Sequence, residues 1–241
     1  SPWESKAPAD RKGASLQPAP VKLPPETASL SIINLVRFGM RLVYRYYFSI
    51  KCYGIEHVPR GKPYIIAANH TSHLDTAAIM TALGDESKRL KVLAARDYFF
   101  NTPLKSWFFG KLLKFLPFER KDNLSQFLQD VRVSNEFLLQ NKCLLIYPEG
   151  TRSVTGELQP FKPGVGLLAY ETGVPIVPAY IDGTYRALPK GKNLPRKSQI
   201  QVIFGEPITL DSFQTGNANM MSHEIYKAIV DKVQDKIKGL G

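Results

Sequence analysis

Cysteine is scarce in this chain. Cys52 and Cys143 are the only two, so no disulfide framework holds the fold and nothing demands an oxidising compartment. Cys143 lies in the apolar run Cys143-Leu-Leu-Ile-Tyr147, the setting of an inert buried thiol rather than of a nucleophile. Long apolar runs are missing too. None approaches the roughly 18 residues a membrane-spanning helix needs, which excludes a multi-span protein but not attachment to a membrane surface. There is no G-x-S-x-G nucleophile elbow, no Walker sequence and no G-x-G-x-x-G, so neither a serine acyl-enzyme nor a glycine-rich nucleotide loop is expected. Histidine occurs four times. His70, His73 and Asp75 are conceivable ligands, but His57 and His223 stand apart and no cysteine pair has ligand spacing, so no metal is expected. Acidic residues are outnumbered, 21 Asp and Glu against 32 Lys and Arg, for a formal net charge of +11. That surplus favours an anionic partner: nucleic acid, an anionic membrane or phosphorylated small molecules.

The remainder is ordinary globular material. Hydrophobic residues at 44% and charged residues at 22% supply a core for one large α/β domain and exclude wholesale disorder. Residues 1–28, rich in Pro, Ala and Lys and without a period, read as a flexible tail or linker. They lack the apolar core of a signal peptide, and a linker there fits a domain excised from a longer polypeptide. Residues 29–50 change character. Leu30, Ile33, Leu35, Phe38 and Leu42 are apolar, Arg37, Arg41 and Arg45 recur at i, i+4, i+8 on one helical face, and Tyr44, Tyr46, Tyr47 and Phe48 close the segment. An amphipathic helix in a membrane interface has this composition; so does a terminal helix packed on its own core with a solvated arginine face.

From residue 51 to 241 the pattern predicts one domain without internal repeats. Tyr64 to Ala68, Val92 to Ala95, Cys143 to Tyr147, Ile176 to Ile181 and Ile200 to Phe204 read as strands. Thr76 to Leu83 reads as a helix, as does a stretch carrying Leu124, Phe127, Leu128, Val131 and Leu138. Ile225, Ile229, Val233 and Ile237 repeat every four residues and predict a C-terminal helix with Ser222 as its N-cap. Strands alternating with helices imply an α/β sheet.

Chemistry concentrates in Asn69-His70-Thr71-Ser72-His73-Leu74-Asp75. This run sits between a strand and a helix, where open α/β sheets place their ligands. His70 and Asp75 are five apart, a poor spacing for one helix face, and meet only if the turn folds His70 back. An imidazole titrates near about 6.5, and a carboxylate on its second nitrogen fixes the tautomer and stabilises the imidazolium. Ser72 and Asp75 also fit a capping box, which asks no chemistry of Asp75. Further on, Pro148-Glu149-Gly150-Thr151-Arg152-Ser153 follows a strand and offers backbone N–H groups, a hydroxyl and a guanidinium suited to phosphate. Lys162 beside Pro163-Gly164, and Arg120 beside Pro117-Phe118, add cations near turns. Each of these also fits an exposed polar loop. A His/Asp pair without a Ser or Cys elbow suits a base acting on a substrate hydroxyl.

Together these residues resemble the 1-acylglycerol-3-phosphate acyltransferase family, the PlsC-like glycerolipid acyltransferases. Asn69-His70-x-Ser72-x-x-Asp75 resembles its H-x₄-D motif, Phe118-Glu119-Arg120 its second motif with Glu119 where Asp is commoner, Pro148 to Ser153 its third, and Val174-Pro175-Ile176-Val177-Pro178 its fourth. The resemblance spans roughly residues 50 to 210. It implies a mixed, largely parallel sheet flanked by helices of glycerol-3-phosphate acyltransferase-like type, preceded by the amphipathic helix. It also implies transfer of an acyl group from acyl-CoA or acyl-carrier protein to lysophosphatidate, giving phosphatidate, with His70 as base and Asp75 orienting it. Arg120, Glu149, Gly150, Thr151, Arg152 and Lys162 would shape the acceptor-phosphate site. Trp107, Phe108, Phe109, Leu112 and Leu113 would line the acyl groove, touch the bilayer or simply fill the core. No cofactor beyond the donor substrate is implied. The partners are the donor, the lysophospholipid and an anionic membrane surface, not nucleic acid, with the protein peripheral on a cytoplasmic face. Acylation of another lyso- or amino-acid lipid, or a lipid-binding module without catalysis, would share most of these features.

Overall fold

The computed structural model describes residues 30–95, 115–118, 124–214 and 222–241; the expected tail at 1–28 lies outside them. Its strands are β1 (Lys51–Tyr53), β2 (Ile65–Ala68), β3 (Leu90–Ala95), β4 (Phe115–Phe118), β5 (Cys143–Ile146), β6 (Ile176–Asp182) and β7 (Gln201–Phe204). Its helices are α1 (Leu30–Leu42), α2 (Asp75–Leu83), α3 (Leu124–Leu139), α4 (Gly164–Thr172), α5 (Thr184–Ala187), α6 (Asp211–Gln214) and α7 (Ser222–Lys238). One sheet runs in the order β1-β7-β6-β2-β5-β3-β4. Every pairing is parallel except β6 with β7, which gives the mixed, largely parallel sheet the resemblance implies. The three-residue β1 was not predicted. Its residues are all exposed, so it lacks the apolar run that marks a buried strand.

β2 lies in the middle, with Ile65 opposite Leu144 of β5 and Ile176 of β6. A strand covered on both faces must be apolar throughout, and Tyr64 to Ala68 are fully buried. Alternation then sorts the core into two layers. Tyr64, Ile66 and Ala68 meet Ala78, Ile79, Met80 and Leu83 of α2 on one face. Ile65 and Ala67 face a second layer with Val131 and Leu138 of α3, Val165 and Leu168 of α4, and Ile229, Val233 and Ile237 of α7. Leu128, expected on the inner face of α3, is 41% exposed. The side chains of Leu124, Phe127 and Ser222 lie outside the described residues.

Connections fix where a ligand can enter. From β2 the chain passes through α2 to β3, on the far side of β5; from β5 it passes through α4 to β6, on the far side of β2. Neighbouring strands whose connections depart in opposite directions leave a crevice at their carboxyl ends. The loops after β2 and β5, carrying His70 and Glu149, border that crevice.

The predicted amphipathic segment is helical but not uniform. α1 gives way to a π-helical turn at Val43–Tyr47 and ends at Ser49, with φ +47°. Tyr44 and Phe48 are buried, whereas Leu35, Phe38 and Tyr46 are 68%, 58% and 69% exposed. The segment also braces α2 from both ends: Tyr44 Oη donates to the Leu74 carbonyl at 2.7 Å and Arg41 Nη2 to the Gly84 carbonyl at 3.1 Å. Arg41 therefore serves as a cation at a helix C-terminus, which the arginine spacing alone did not reveal. No helix among the described residues is long and apolar enough to cross a membrane.

α4 and α7 approach closely at Gly166, where an added Cβ would stand 2.4 Å from the Tyr226 carbonyl oxygen. Alanine gains helix propensity at such a site but forces the two helices apart. Gly166→Ala is expected to cost about 1–2 kcal/mol net, lowering the thermal midpoint by about 2–8 °C, as circular dichroism would record.

Candidate active site

β2 ends at Ala68 and the chain turns at Asn69, whose side chain completes the sheet. Its Oδ1 accepts the Ile181 N–H at 2.7 Å and its Nδ2 donates to the Ile181 carbonyl at 2.9 Å. Asn69 is buried, and this pair of bonds fixes the direction in which the following residues leave the strand. His70 comes next and folds back over the start of α2.

The fold-back brings His70 and Asp75 together. His70 Nδ1 lies 2.8 Å from Asp75 Oδ2, with the histidine side chain 19% exposed and the aspartate fully buried. The same Oδ2 accepts the N–H groups of Thr71 at 2.8 Å and Ser72 at 2.9 Å. One carboxylate oxygen thus closes the turn and holds the imidazole. Its partner Oδ1 is buried without a hydrogen bond. The capping reading is therefore half realised. Asp75 reaches back to the Ser72 N–H as a capping box requires, but Ser72 Oγ accepts the Leu74 N–H at 3.2 Å and donates to the Leu188 carbonyl at 2.7 Å. In the tautomer that donates Nδ1–H to the carboxylate, Nε2 keeps its lone pair.

Tyr147, the residue after β5, lies flat against His70, with ring centroids 4.0 Å apart and planes 15° from parallel. Its hydroxyl is 3.0 Å from the Thr76 hydroxyl. Burial first, and the Asp75 charge second, hold the phenol well above its ordinary range, so Tyr147 is a neutral wall on one face of the imidazole. Sequence reasoning placed Tyr147 only at a strand end. Its position beside His70 follows from the β2–β5 register, in which Ala67 pairs with Ile146.

Glu149 was expected among the phosphate-binding groups, but its carboxylate turns inward. Oε1 accepts the His70 backbone N–H at 2.6 Å and Oε2 the Gln159 N–H at 3.0 Å. The Ser153 N–H returns a bond to the His70 carbonyl at 2.8 Å. The loops after β2 and β5 are thereby joined on both sides of His70. Burial pushes the Glu149 carboxyl up to about 7, although its two N–H donors favour the charged form.

Around this clamp stand the remaining expected residues. Gly150 has φ +69°, and a Cβ there would meet Lys162 Cε at 2.9 Å, so the lysine side chain lies across the glycine. Thr151 and Lys162 are exposed and Arg152 is half-buried. Burial, then the positive charge of Arg152, press the His73 imidazole below its ordinary range, and the bond from Ser153 to His70 keeps the Arg152 loop beside the histidine turn. Phe118 ends β4, while Glu119, Arg120 and the cluster Trp107, Phe108, Phe109, Leu112 and Leu113 lie outside the described residues. Among the described residues no group of three His, Cys, Asp or Glu side chains is disposed to hold a metal ion.

The acyltransferase family model matches residues 49–182, more than half of the chain and the whole of this constellation. The chain belongs to the acyltransferase family. Among relatives, a probable 1-acyl-sn-glycerol-3-phosphate acyltransferase of Mycoplasma genitalium is 28% identical over 88% of this chain and 80% of its own length. A 1-acyl-sn-glycerol-3-phosphate acyltransferase of Cocos nucifera is 32% identical over 73% of this chain and 56% of its own length. The crystal structure of the 1-acyl-sn-glycerophosphate acyltransferase PlsC from Thermotoga maritima superposes with a TM-score of 0.61, at 21% identity, over 85% of this chain and 79% of that one. That likeness shows the fold. The histidine turn, the Glu149 clamp and the Arg152 loop all fall within the span matched by the acyltransferase family.

A carboxyl whose folded-state pKa is raised holds its proton longer in the native state than in the unfolded chain. Its contribution to stability is full below the ordinary value of 4.5 and is lost as pH rises through about 7. Unfolding followed across that window is expected to show the native protein losing stability with rising pH. Glu149→Gln should flatten that slope while lowering stability overall, because one N–H of the clamp then faces an amide NH₂.

Proposed function

We propose that this chain transfers a fatty acyl group from an acyl thioester to the free hydroxyl of lysophosphatidate, giving phosphatidate. The observation that carries the reading is the 2.8 Å contact between His70 Nδ1 and a buried Asp75 at the crevice of an acyltransferase-family sheet. His70 Nε2 takes the proton of the acceptor hydroxyl as its oxygen attacks the thioester carbonyl. The tetrahedral intermediate collapses, the carbon–sulfur bond breaks, and the thiol leaves with the proton returned by the imidazolium. Asp75 stabilises that imidazolium through Oδ2. A base so placed contributes about 10²–10⁴ in rate.

Phosphate recognition falls to Arg152 and Lys162, with the Gly150 and Thr151 backbone beside them, because a guanidinium and an ammonium near a tight turn match a phosphate monoester, and to Arg120 on the resemblance of its motif alone. Glu149 acts through His70 as a positioning residue. Donor substrates are acyl-CoA or acyl-carrier protein, with no further cofactor. We place the enzyme peripherally on the cytoplasmic face of a membrane, with the exposed apolar residues of α1 against an anionic bilayer.

His70→Ala is expected to lower acceptor-dependent thiol release about 10²–10⁴-fold and also to lower the thermal midpoint, because the buried Asp75 loses its imidazole donor; circular dichroism checks that the variant still folds, and full activity in it would overturn the assignment of the base. Mass-spectrometric identification of products from a matrix of donors and acceptors separates lysophosphatidate from other lyso-lipids and amino-acid lipids. Prolonged chelation should leave the rate unchanged, and an activity lost to chelator and restored by zinc would require a metal mechanism instead.

A further inference from the structure

Between α5 and β7 the chain reads Pro189-Lys190-Gly191-Lys192-Asn193-Leu194-Pro195-Arg196-Lys197-Ser198. It holds four cations, no acidic residue and one large apolar side chain. Residues 190–197 are all exposed, and Leu194, at 83%, is the most exposed large hydrophobic residue described. A single exposed leucine needs no explanation. The attachments of this loop give it one.

The loop is closed at its base by the Arg196 N–H donating to the Ala187 carbonyl at 2.7 Å. The residue just before it and Lys190 within it meet the loops after β2 and β5: Ser72 Oγ donates to the Leu188 carbonyl at 2.7 Å, and Lys190 Nζ to the Arg152 carbonyl at 3.3 Å. Its far side is tied to the N-terminal segment, where Tyr47 Oη donates to the Pro195 carbonyl at 3.3 Å. Tyr47 belongs to the π-helical turn whose Val43 and Tyr46 are 48% and 69% exposed and which continues the exposed face of α1. The basic loop therefore adjoins an apolar surface on one side and the His70 turn on the other.

We propose that residues 189–198 form a second membrane contact, in which Lys190, Lys192, Arg196 and Lys197 bind anionic lipid headgroups and Leu194 enters the acyl boundary. This rests on the reading that α1 lies on a bilayer. Cations ringing an exposed leucine, continuous with an exposed apolar helix face, match a bilayer interface in both charge and polarity. An acidic protein surface would match the charges but leave the adjoining apolar face unaccounted for. Through Ser72 and Lys190 the contact sets the depth of the catalytic turn relative to the headgroups that carry the acceptor phosphate.

The test is co-sedimentation of the full chain, without substrates, with vesicles of phosphatidylcholine alone and of phosphatidylcholine containing phosphatidylglycerol. Each neutralised cation is expected to weaken binding to the anionic vesicles about fivefold, so Lys190→Gln, Lys192→Gln, Arg196→Gln and Lys197→Gln combined lose about 600-fold and leave binding to neutral vesicles unchanged. Leu194→Ser should weaken both. Raised salt should bring the native protein down to the level of the fourfold variant. Phe38→Ser and Leu35→Ser test the α1 contact separately, so failure of the loop and failure of the helix are distinguishable. Coincident melting curves exclude misfolding. The proposal is overturned if the fourfold variant binds anionic vesicles as the native chain does, or if it loses affinity only for an immobilised acidic acyl-carrier protein.

Discussion

A buried carboxylate demands donors, and Asp75 draws much of its neighbourhood into place to obtain them. Its Oδ2 takes the imidazole N–H of His70 and the backbone N–H groups of Thr71 and Ser72. These bonds bend the chain so that residues five apart in sequence come into contact. Removing the charge from water is costly unless it is paired, so the turn forms only in the arrangement that also aims His70. Around it the scaffold is rigid: Thr71 Oγ1 lies 3.1 Å from the Thr184 hydroxyl of α5, and Tyr44 and Arg41 hold the two ends of α2. The geometry proposed for proton transfer is thus also what closes the turn.

The second constraint joins two loops that the sheet merely brings near each other. Glu149 accepts from His70 and Gln159, and Ser153 donates to His70. A base on one loop and cations on the other can serve one substrate only if their separation is fixed. Backbone bonds of this kind fix it at little side-chain entropy. Tyr147 adds a wall on one face of the imidazole, which restricts the ring plane without contributing a charge.

Part of the basic surplus, a net charge of +11, gathers near the crevice. Arg152 and Lys162 stand by the crevice, and the loop at residues 189–198 adds four cations beside the exposed face of α1. On the proposed reading, an electropositive rim leading to an electropositive site would concentrate anionic amphiphiles at the crevice. The proposed chemistry and the proposed lipid contact would then share one electrostatic gradient.

Local signals were sufficient for much of this. Apolar runs located β2, β3, β5, β6 and β7, because strands buried on both faces cannot be polar. The four-residue repeat of Ile225 to Ile237 located α7. The His70 and Asp75 contact was legible only as a condition on how the turn folds, and the Arg152 loop only through its resemblance to a family motif, because each residue type there also suits an ordinary turn. β1 was not legible, since its three exposed residues carry no apolar pattern. The stacking of Tyr147, the inward turn of the Glu149 carboxylate and the use of Arg41 as a helix cap were not legible either. Each depends on how the elements are packed, and on a partner 43 to 79 positions away in the chain. Sequence by itself settled which groups were available and which elements would be buried. Only the tertiary structure, through parallel pairing of β2 with β5 and the opposite departures of their loops, decided which of those groups meet, because hydrogen bonds over a few ångströms select partners by position in space and not by residue type.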